Sequence, residues 1–494
     1  MTKQVEGLLL DMITLDRDGG LPLYRQLDSQ LRRAVLSGRL PPETRLPATR
    51  QLALELGISR LTVQNTYEQL VAEGFLKAVA GAGTFVAEIP PEDLPPTMPA
   101  PVRQMRRRRS GLSRRGEAIA TTRAATRVAE TRPFRPGVPD PDLFPMAVWS
   151  RLWARAFKRA GRDLFGYGPE GGCPALRTAI SEHLGNARGV RCDPEQVIVT
   201  AGSQQSFALS ALALLDAGDL AWGEDPGHAA GRDVLNALGV RVAPVSIDDE
   251  GLEVATARTR FPAPRLICVT PSHQHPLGVT MSLRRRLELL QFAQRIGAWI
   301  LEDDYDSEFR YSGRPLQALQ GLDSGGCVIY AGSFSKVLYP SLRMGYLVVP
   351  HDLVEAYGAA QRVLSQGIPL LPQLVLADFM REGRYAAHIR RMRMAYGERQ
   401  RLLVAALQRR ARDLIEVQPT AAGMHLVAWL RNGRDDLQAA RTLWQAGIEA
   451  IPLSIYAVQD HPRGGLLLGF TAVAPELIDP KVKQLVAALE AVAQ

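Results

Sequence analysis

A chain of 494 residues, 46% hydrophobic and 22% charged, is long enough for two or more domains and apolar enough to bury substantial cores. No apolar run approaches the roughly 20 residues that span a bilayer. The acids within residues 1–18 do not suit the basic flank of a signal peptide, so cytoplasmic residence is expected. Cys173, Cys192, Cys268 and Cys327 form no Cys-x-x-Cys pair, which argues against a disulfide framework or a metal site. The net charge of +8 fits a polyanionic partner without requiring one.

After a tail over 1–18, residues 19–88 form the first predicted domain. Leu23, Leu27, Leu31, Val35 and Leu36 recur at helical spacing over 21–36. A second helix is expected to start near Thr49, turn Leu52, Ala53 and Leu56 inward, and stop at Gly57. Ser59 is a good N-cap for a third helix over 60–73, which buries Val63, Tyr67, Leu70 and Val71 before Gly74. Helix, short turn, helix is a DNA-reading unit, and the opening residues of its second helix reach base edges. Here they are Ser59, Arg60, Leu61, Thr62 and Gln64, mostly hydrogen-bonding side chains. Two short strands over 75–80 and 84–87, separated by Gly81-Ala82-Gly83, complete a wing whose tip suits a close approach to phosphate or minor groove.

The segments Leu46-Pro-Ala-Thr-Arg50, Leu56-Gly-Ile-Ser-Arg60-Leu-Thr62, Tyr67-Glu-Gln-Leu-Val-Ala-Glu-Gly74 and Gly83-Thr-Phe-Val86 resemble the GntR family of winged-helix regulators. The resemblance implies that Arg50 and Arg60 grip DNA, that Thr62 and Gln64 read or position it, and that Gly83 lies at the wing. Ala48 stands where that family has a serine N-cap, so either Thr49 caps the second helix or the helix starts less firmly.

Residues 89–132 are rich in proline and then arginine, with ten basic against five acidic side chains over 88–132, and read as an exposed linker. The run Arg106 to Arg109 is a solvated tether or a set of salt-sensitive phosphate contacts.

From 133 to 494 an α/β domain is expected, with a small C-terminal subdomain from about 375. Apolar strands over 196–200, 221–223, 240–245, 265–270, 299–302, 327–331 and 345–349 alternate with helices, the pattern of a sheet with parallel strands. Ligands gather at the carboxyl ends of such strands. Gly202-Ser203-Gln204 follows one strand and opens a helix, where backbone N–H groups could dock a phosphate. Asp303 closes another strand, and Ser333-Phe-Ser-Lys336 follows a third with Arg343 beyond it. Pyridoxal phosphate (PLP) calls for such parts: a lysine amine, a carboxylate beside the ring nitrogen, and hydroxyls, an arginine and helix-terminal N–H groups around the phosphate.

These segments resemble the fold-type I aminotransferases and, behind a GntR-like domain, the MocR (GabR-like) subfamily of regulators. The resemblance implies Lys336 as the Schiff-base lysine, Asp303 as partner of the ring nitrogen and Tyr305 as donor to the ring hydroxyl. It implies Gly202, Ser203, Gln204, Ser333 and Arg343 at the phosphate, His228 in place of a ring-stacking aromatic, and Tyr167 reaching the phosphate of a partner subunit in a domain-swapped homodimer. Gln274 and His275 are further candidates for the ring. Aminotransferases clamp a substrate carboxylate with a C-terminal arginine; the corresponding place here holds Leu467. The expectation is therefore a PLP-dependent regulator that senses PLP, an amine or an amino acid, with transaminase turnover absent or residual. The alternatives are an active aminotransferase with an accessory DNA-binding domain, and a dimerising domain that has lost its cofactor.

Overall fold

The computed structural model describes residues 13–17, 20–88, 111–120, 122, 132–313, 316–459 and 461–491. The chain divides into two compact units, Met1–Gly111 and Leu112–Gln494. The run Arg106 to Arg109 lies outside the described residues.

In the first unit, helices Leu23–Leu36, Thr49–Leu56 and Arg60–Ala72 pack around fully buried Leu27, Leu52, Val63 and Leu70. These positions are spaced so that each helix offers one apolar stripe to a common centre. Gly57 ends the second helix in the left-handed conformation, with φ of 62°, and the Ser59 hydroxyl accepts from Leu61 N at 3.2 Å to open the third. Ala48 occupies the cap of the second helix and supplies no side-chain acceptor, with Thr49 already inside the helix, so the helix starts without a side-chain cap. Strands β1 (Leu76–Val79) and β2 (Gly83–Val86) form the wing hairpin. A further backbone ladder onto β2 carries no sequence signal: Leu46 N donates to Thr84 O at 2.8 Å and Val86 N to Thr44 O at 2.9 Å.

The second unit centres on eight strands: β3 (Val197–Thr200), β4 (Leu220–Asp225), β5 (Arg241–Asp248), β6 (Gly251–Leu252), β7 (Leu266–Val269), β8 (Trp299–Asp304), β9 (Val328–Ser333) and β10 (Gly345–Val348). Their spatial order is β3-β10-β9-β8-β7-β4-β5-β6. The central pairs β5–β4–β7–β8–β9 are parallel, as expected. The reversed strand was not anticipated: β10 is antiparallel to both neighbours. Residues 334–344 are too few for the crossover of a dozen or more residues that a parallel pair requires, so the chain turns straight back. That reversal places Gly345 opposite both Thr200 and Ser333, and so brings the Arg343 loop to the same edge as the ends of β3 and β9.

A second, antiparallel sheet, unmarked by the sequence, has the order β11-β12-β14-β13, formed by β11 (Ile415–Val417), β12 (His425–Leu430), β13 (Ile451–Pro452) and β14 (Gly465–Gly469). Within the expected linker, Arg114–Ala120 is helical and belongs to the larger unit. None of its residues is buried, so it offers no apolar stripe for a sequence pattern to reveal. Among the described residues, no helix is long and apolar enough to cross a membrane.

The missing cap yields a prediction. Ala48→Ser should stabilise the Thr49–Leu56 helix by about 0.5–1 kcal/mol, read as slower amide hydrogen exchange over 52–56; unchanged protection would contradict the cap assignment.

Candidate functional site

Because β4, β7, β8 and β9 run in one direction, their carboxyl ends gather along one edge, and a cavity of about 410 Å³ opens there. Lys336, Asp303, Tyr305, His228 and His275 line it, as do Gly202, Ser203, Gln204, Ser333 and Arg343. The strand ends thus unite ten of the twelve residues expected around a cofactor. Tyr167 lies elsewhere, 82% exposed on a surface patch beside Phe165. Gln274 is not in the cavity wall; its amide donates to Glu224 Oε2 at 3.2 Å and to Pro226 O at 2.9 Å, and so braces the loop.

One end of the cavity is built for an anion. Helix Ser203–Leu214 starts there behind Gly202, whose φ of 107° favours glycine, and its first backbone amides carry the positive end of the helix dipole. Ser333 closes β9, and Arg343 is held with φ of 50°, a left-handed conformation uncommon for a side-chain-bearing residue.

The other end is a set of titratable rings and acids, in which Asp303, Asp306, His273 and His425 are buried and Lys336, His228, His275 and Tyr305 half-buried. Lys336 Nζ donates to Gly137 O at 2.9 Å. Burial pulls its proton affinity below that of an ordinary lysine, with Asp306 and Asp303 acting in the opposite sense. Asp303 is buried, and its Oδ2 lies 3.3 Å from His228 Nδ1 without hydrogen-bond geometry. His228 Nδ1 and His275 Nδ1 are both buried and unpartnered. Burial, followed by the neighbouring His425, His228 and Lys336, holds His275 well below the usual histidine range. Burial and then His273 pull His425 down to about 4. Burial raises the Tyr305 hydroxyl well above the ordinary tyrosine range.

Several of these groups escaped the sequence reading. His273 Nδ1 lies 3.1 Å from both the Tyr305 hydroxyl and Asp306 Oδ1, so it positions the phenol. His425 and Tyr456 reach the cavity from the second sheet and the turn after β13, where no local motif marks them. Leu467 is fully buried on β14, opposite Val427 and Ile451. Arg463 and Arg431 turn instead towards Glu416, at 2.8 and 3.9 Å. Among the described residues, Arg343 is the one arginine in the cavity wall.

The donor set fits PLP: a half-buried amine, a buried carboxylate, a phenol, two unpartnered imidazole nitrogens, and an arginine that shares the cavity wall with a helix N-terminus.

The residues expected to contact DNA lie on the first unit. Arg50, Ser59, Arg60 and Gln64 are exposed and Thr62 is half-buried. Gln64 Nε2 donates to Glu68 Oε1 at 3.0 Å. Arg45, which sequence reasoning passed over, bridges to Phe85 and lies beside Gly83, so that a Cβ at Gly83 would come within 3.2 Å of its Nε. The wing tip therefore pairs a flexible backbone with a cation, a combination suited to phosphate.

A pH dependence follows from Glu224, which is pushed up to about 7 by burial although Thr270 and Gln274 donate to it. Its folded value exceeds its unfolded value, so ionisation opposes folding. The cost is absent below about 4.5, grows as pH rises, and is complete above about 7. Glu224→Gln should therefore flatten the loss of thermal stability between pH 5 and 8, by roughly 2–3 kcal/mol at most; an unchanged slope would contradict the assignment.

A model of the family described as "Aminotransferase class I and II" matches residues 145–468. One described as "Bacterial regulatory proteins, gntR family" matches residues 23–86. The chain is 41% identical over 478 residues to the "Probable rhizopine catabolism regulatory protein MocR" of Rhizobium meliloti, covering 96% of this chain and 95% of that protein. It is 35% identical over 393 residues to the HTH-type transcriptional regulator TauR of Rhodobacter capsulatus, covering 78% and 80%. The crystal structure of LysN, an alpha-aminoadipate aminotransferase from Thermus thermophilus complexed with N-(5'-phosphopyridoxyl)-L-leucine, superposes with a TM-score of 0.68 at 26% identity, covering 73% of this chain and 92% of that one. A GntR-type winged helix ahead of a fold-type I aminotransferase domain, in a chain alike over almost its whole length to regulators of that architecture, places this protein in the MocR subfamily of GntR-family transcription regulators.

Proposed function

We propose that this regulator holds PLP covalently on Lys336 and changes its grip on operator DNA when the cavity is occupied. The observation that carries the reading is the half-buried Lys336 amine, which shares one cavity with Asp303 and the N-terminus of helix Ser203–Leu214. Bound PLP would supply an electrophilic carbon that takes up primary amines.

The chain's own residues have separable tasks. Lys336, kept more easily deprotonated by burial, presents a nucleophilic nitrogen. Asp303 would hold a proton on the ring nitrogen, and Tyr305, positioned by His273, would donate to the ring hydroxyl. Ser203, Gln204, Ser333, Arg343 and the amides behind Gly202 would neutralise the phosphate. His228 and His275 would flank the ring.

We assign Tyr167 to the site of a partner subunit in a domain-swapped homodimer. Phe165 at 91%, Tyr167 at 82% and Val363 at 85% exposure present apolar surface of the kind that subunit contacts cover. Binding of PLP, or of an amine or amino-acid effector, would favour one arrangement of that dimer and alter how two winged helices meet two half-sites. Arg50, Ser59, Arg60, Thr62, Gln64 and Gly83 would make the DNA contacts, in the cytoplasm. The working domain limits are 19–88, a linker over 89–132, and 133–494 with a small subdomain from about 375. Since the cavity wall offers no second arginine among the described residues to fork a carboxylate, transaminase turnover should be absent or residual.

Added PLP should give wild-type protein the visible absorption band of lysine-bound cofactor, and Lys336→Ala should lack it while keeping its far-ultraviolet dichroism; a band in both would remove Lys336 from the role. Arg60→Ala should weaken binding to a selected duplex by about 1–3 kcal/mol and leave the band intact. Turnover of an amino acid with a keto acid at ordinary transaminase rates would favour the enzyme reading instead.

A further inference from the structure

The first unit carries an apolar side chain that its own packing does not use. On helix Arg60–Ala72, Val63, Tyr67 and Leu70 are buried in the core, whereas Leu61 is 63% exposed. The helix cannot roll to cover it, because its inward side is committed: besides those three residues, the Tyr67 hydroxyl donates to Pro47 O at 3.1 Å. Leu61 heads the opposite face, in a helical stripe with Gln64, Asn65 and Glu68, all exposed.

That face is the one a helix-turn-helix unit turns to the major groove, and the N-terminal residues of its second helix meet the base edges. Leu61 is the second residue of this helix. Leu54 is exposed as well, at 85%, but it lies on the preceding helix, whose counterpart in such units crosses the DNA backbone.

The polar groups around Leu61 are partly engaged within the protein. Ser59 Oγ accepts from Leu61 N at 3.2 Å as the helix cap, and Gln64 Nε2 donates to Glu68 Oε1 at 3.0 Å. Leu61 itself brings methyl groups and neither donor nor acceptor. Among the bases, only thymine presents a methyl group in the major groove; the other base edges there show hydrogen-bonding groups. A leucine set against those groups would desolvate them without replacing their partners, at a cost. Set against the thymine methyl, it would remove apolar surface from water on both sides. The exposed Arg50 and Arg60, with Arg45 beside the wing tip, supply cations for the phosphates on either side of such a contact.

We infer that Leu61 selects a thymine in each DNA half-site by packing against its C5-methyl group. The inference rests on the reading that helix Arg60–Ala72 enters the major groove, and deepens it by naming the base.

The test selects duplexes from a random library with the full-length wild type, then replaces each thymine of the selected site singly by deoxyuridine, which lacks only the methyl group. One such replacement in a half-site should weaken wild-type binding about fourfold, the worth of one buried methyl group. Leu61→Ala, already without the contact, should bind the thymine and deoxyuridine duplexes alike and keep the wild-type unfolding midpoint, since Leu61 packs in no core. Wild-type affinity indifferent to every deoxyuridine would overturn the inference. So would a loss in Leu61→Ala equal to that of the wild type, which would assign the methyl to another side chain. Failure of Arg60→Ala to weaken binding to the selected duplex would overturn the groove reading and this inference together.

Discussion

Lys336 sits just beyond β9, half-buried in the wall of the strand-end cavity, and the partial loss of water around its amine is the constraint to which the larger unit is fitted. An ammonium buried there is disfavoured, and an uncharged amine is a nucleophile. The acids nearby limit the effect: Asp303 and Asp306 favour the charged form, so the amine is poised rather than abolished as a base. Around this centre the parallel strands deliver side chains from segments far apart in sequence, and the short return of β10 brings Arg343 to the edge where helix Ser203–Leu214 begins. A helix N-terminus with Arg343 at one end and clustered imidazole and phenol rings at the other follow from the topology of one sheet and the edge of a second.

The residues that could be read from the sequence are those lying on local signals. Gly57, Ser59 and Gly74 mark helix ends by backbone preference, and the winged helix emerges from them almost residue by residue. Gly202, Asp303 and Ser333 stand at or near strand ends, where a parallel sheet collects its ligands, and so the anion end and the lysine were visible as well. Ala48 was visible as a departure, and the helix after it has no side-chain cap.

What the sequence hid depended on long-range geometry. Strand periodicity reports which residues alternate between faces, not the direction of the strand, so the reversal of β10 was masked although the brevity of 334–344 carried the clue. His425 and Tyr456 enter the cavity from a sheet of short strands near the C-terminus, with β13 only two residues long, below the length at which alternation becomes a pattern. Arg45 lies outside both wing strands and reaches Gly83 through a backbone bridge to Phe85. In the loop 271–278 the sequence placed Gln274 and His275 together; the fold separates them, turning His275 to the cavity and Gln274 to the buried Glu224.

A regulator built on an aminotransferase frame has to convert occupancy of a cavity into a change at DNA, and this is the claim on which the account stands. Its most direct measurement is the affinity of the full-length protein for a duplex selected from a random library, compared between the PLP-free and PLP-loaded states of the wild type and in Lys336→Ala. The account predicts that PLP shifts the affinity of the wild type and leaves that of Lys336→Ala unchanged. Equal affinity of the wild type in both states, under conditions where the cofactor band shows full loading, would contradict it.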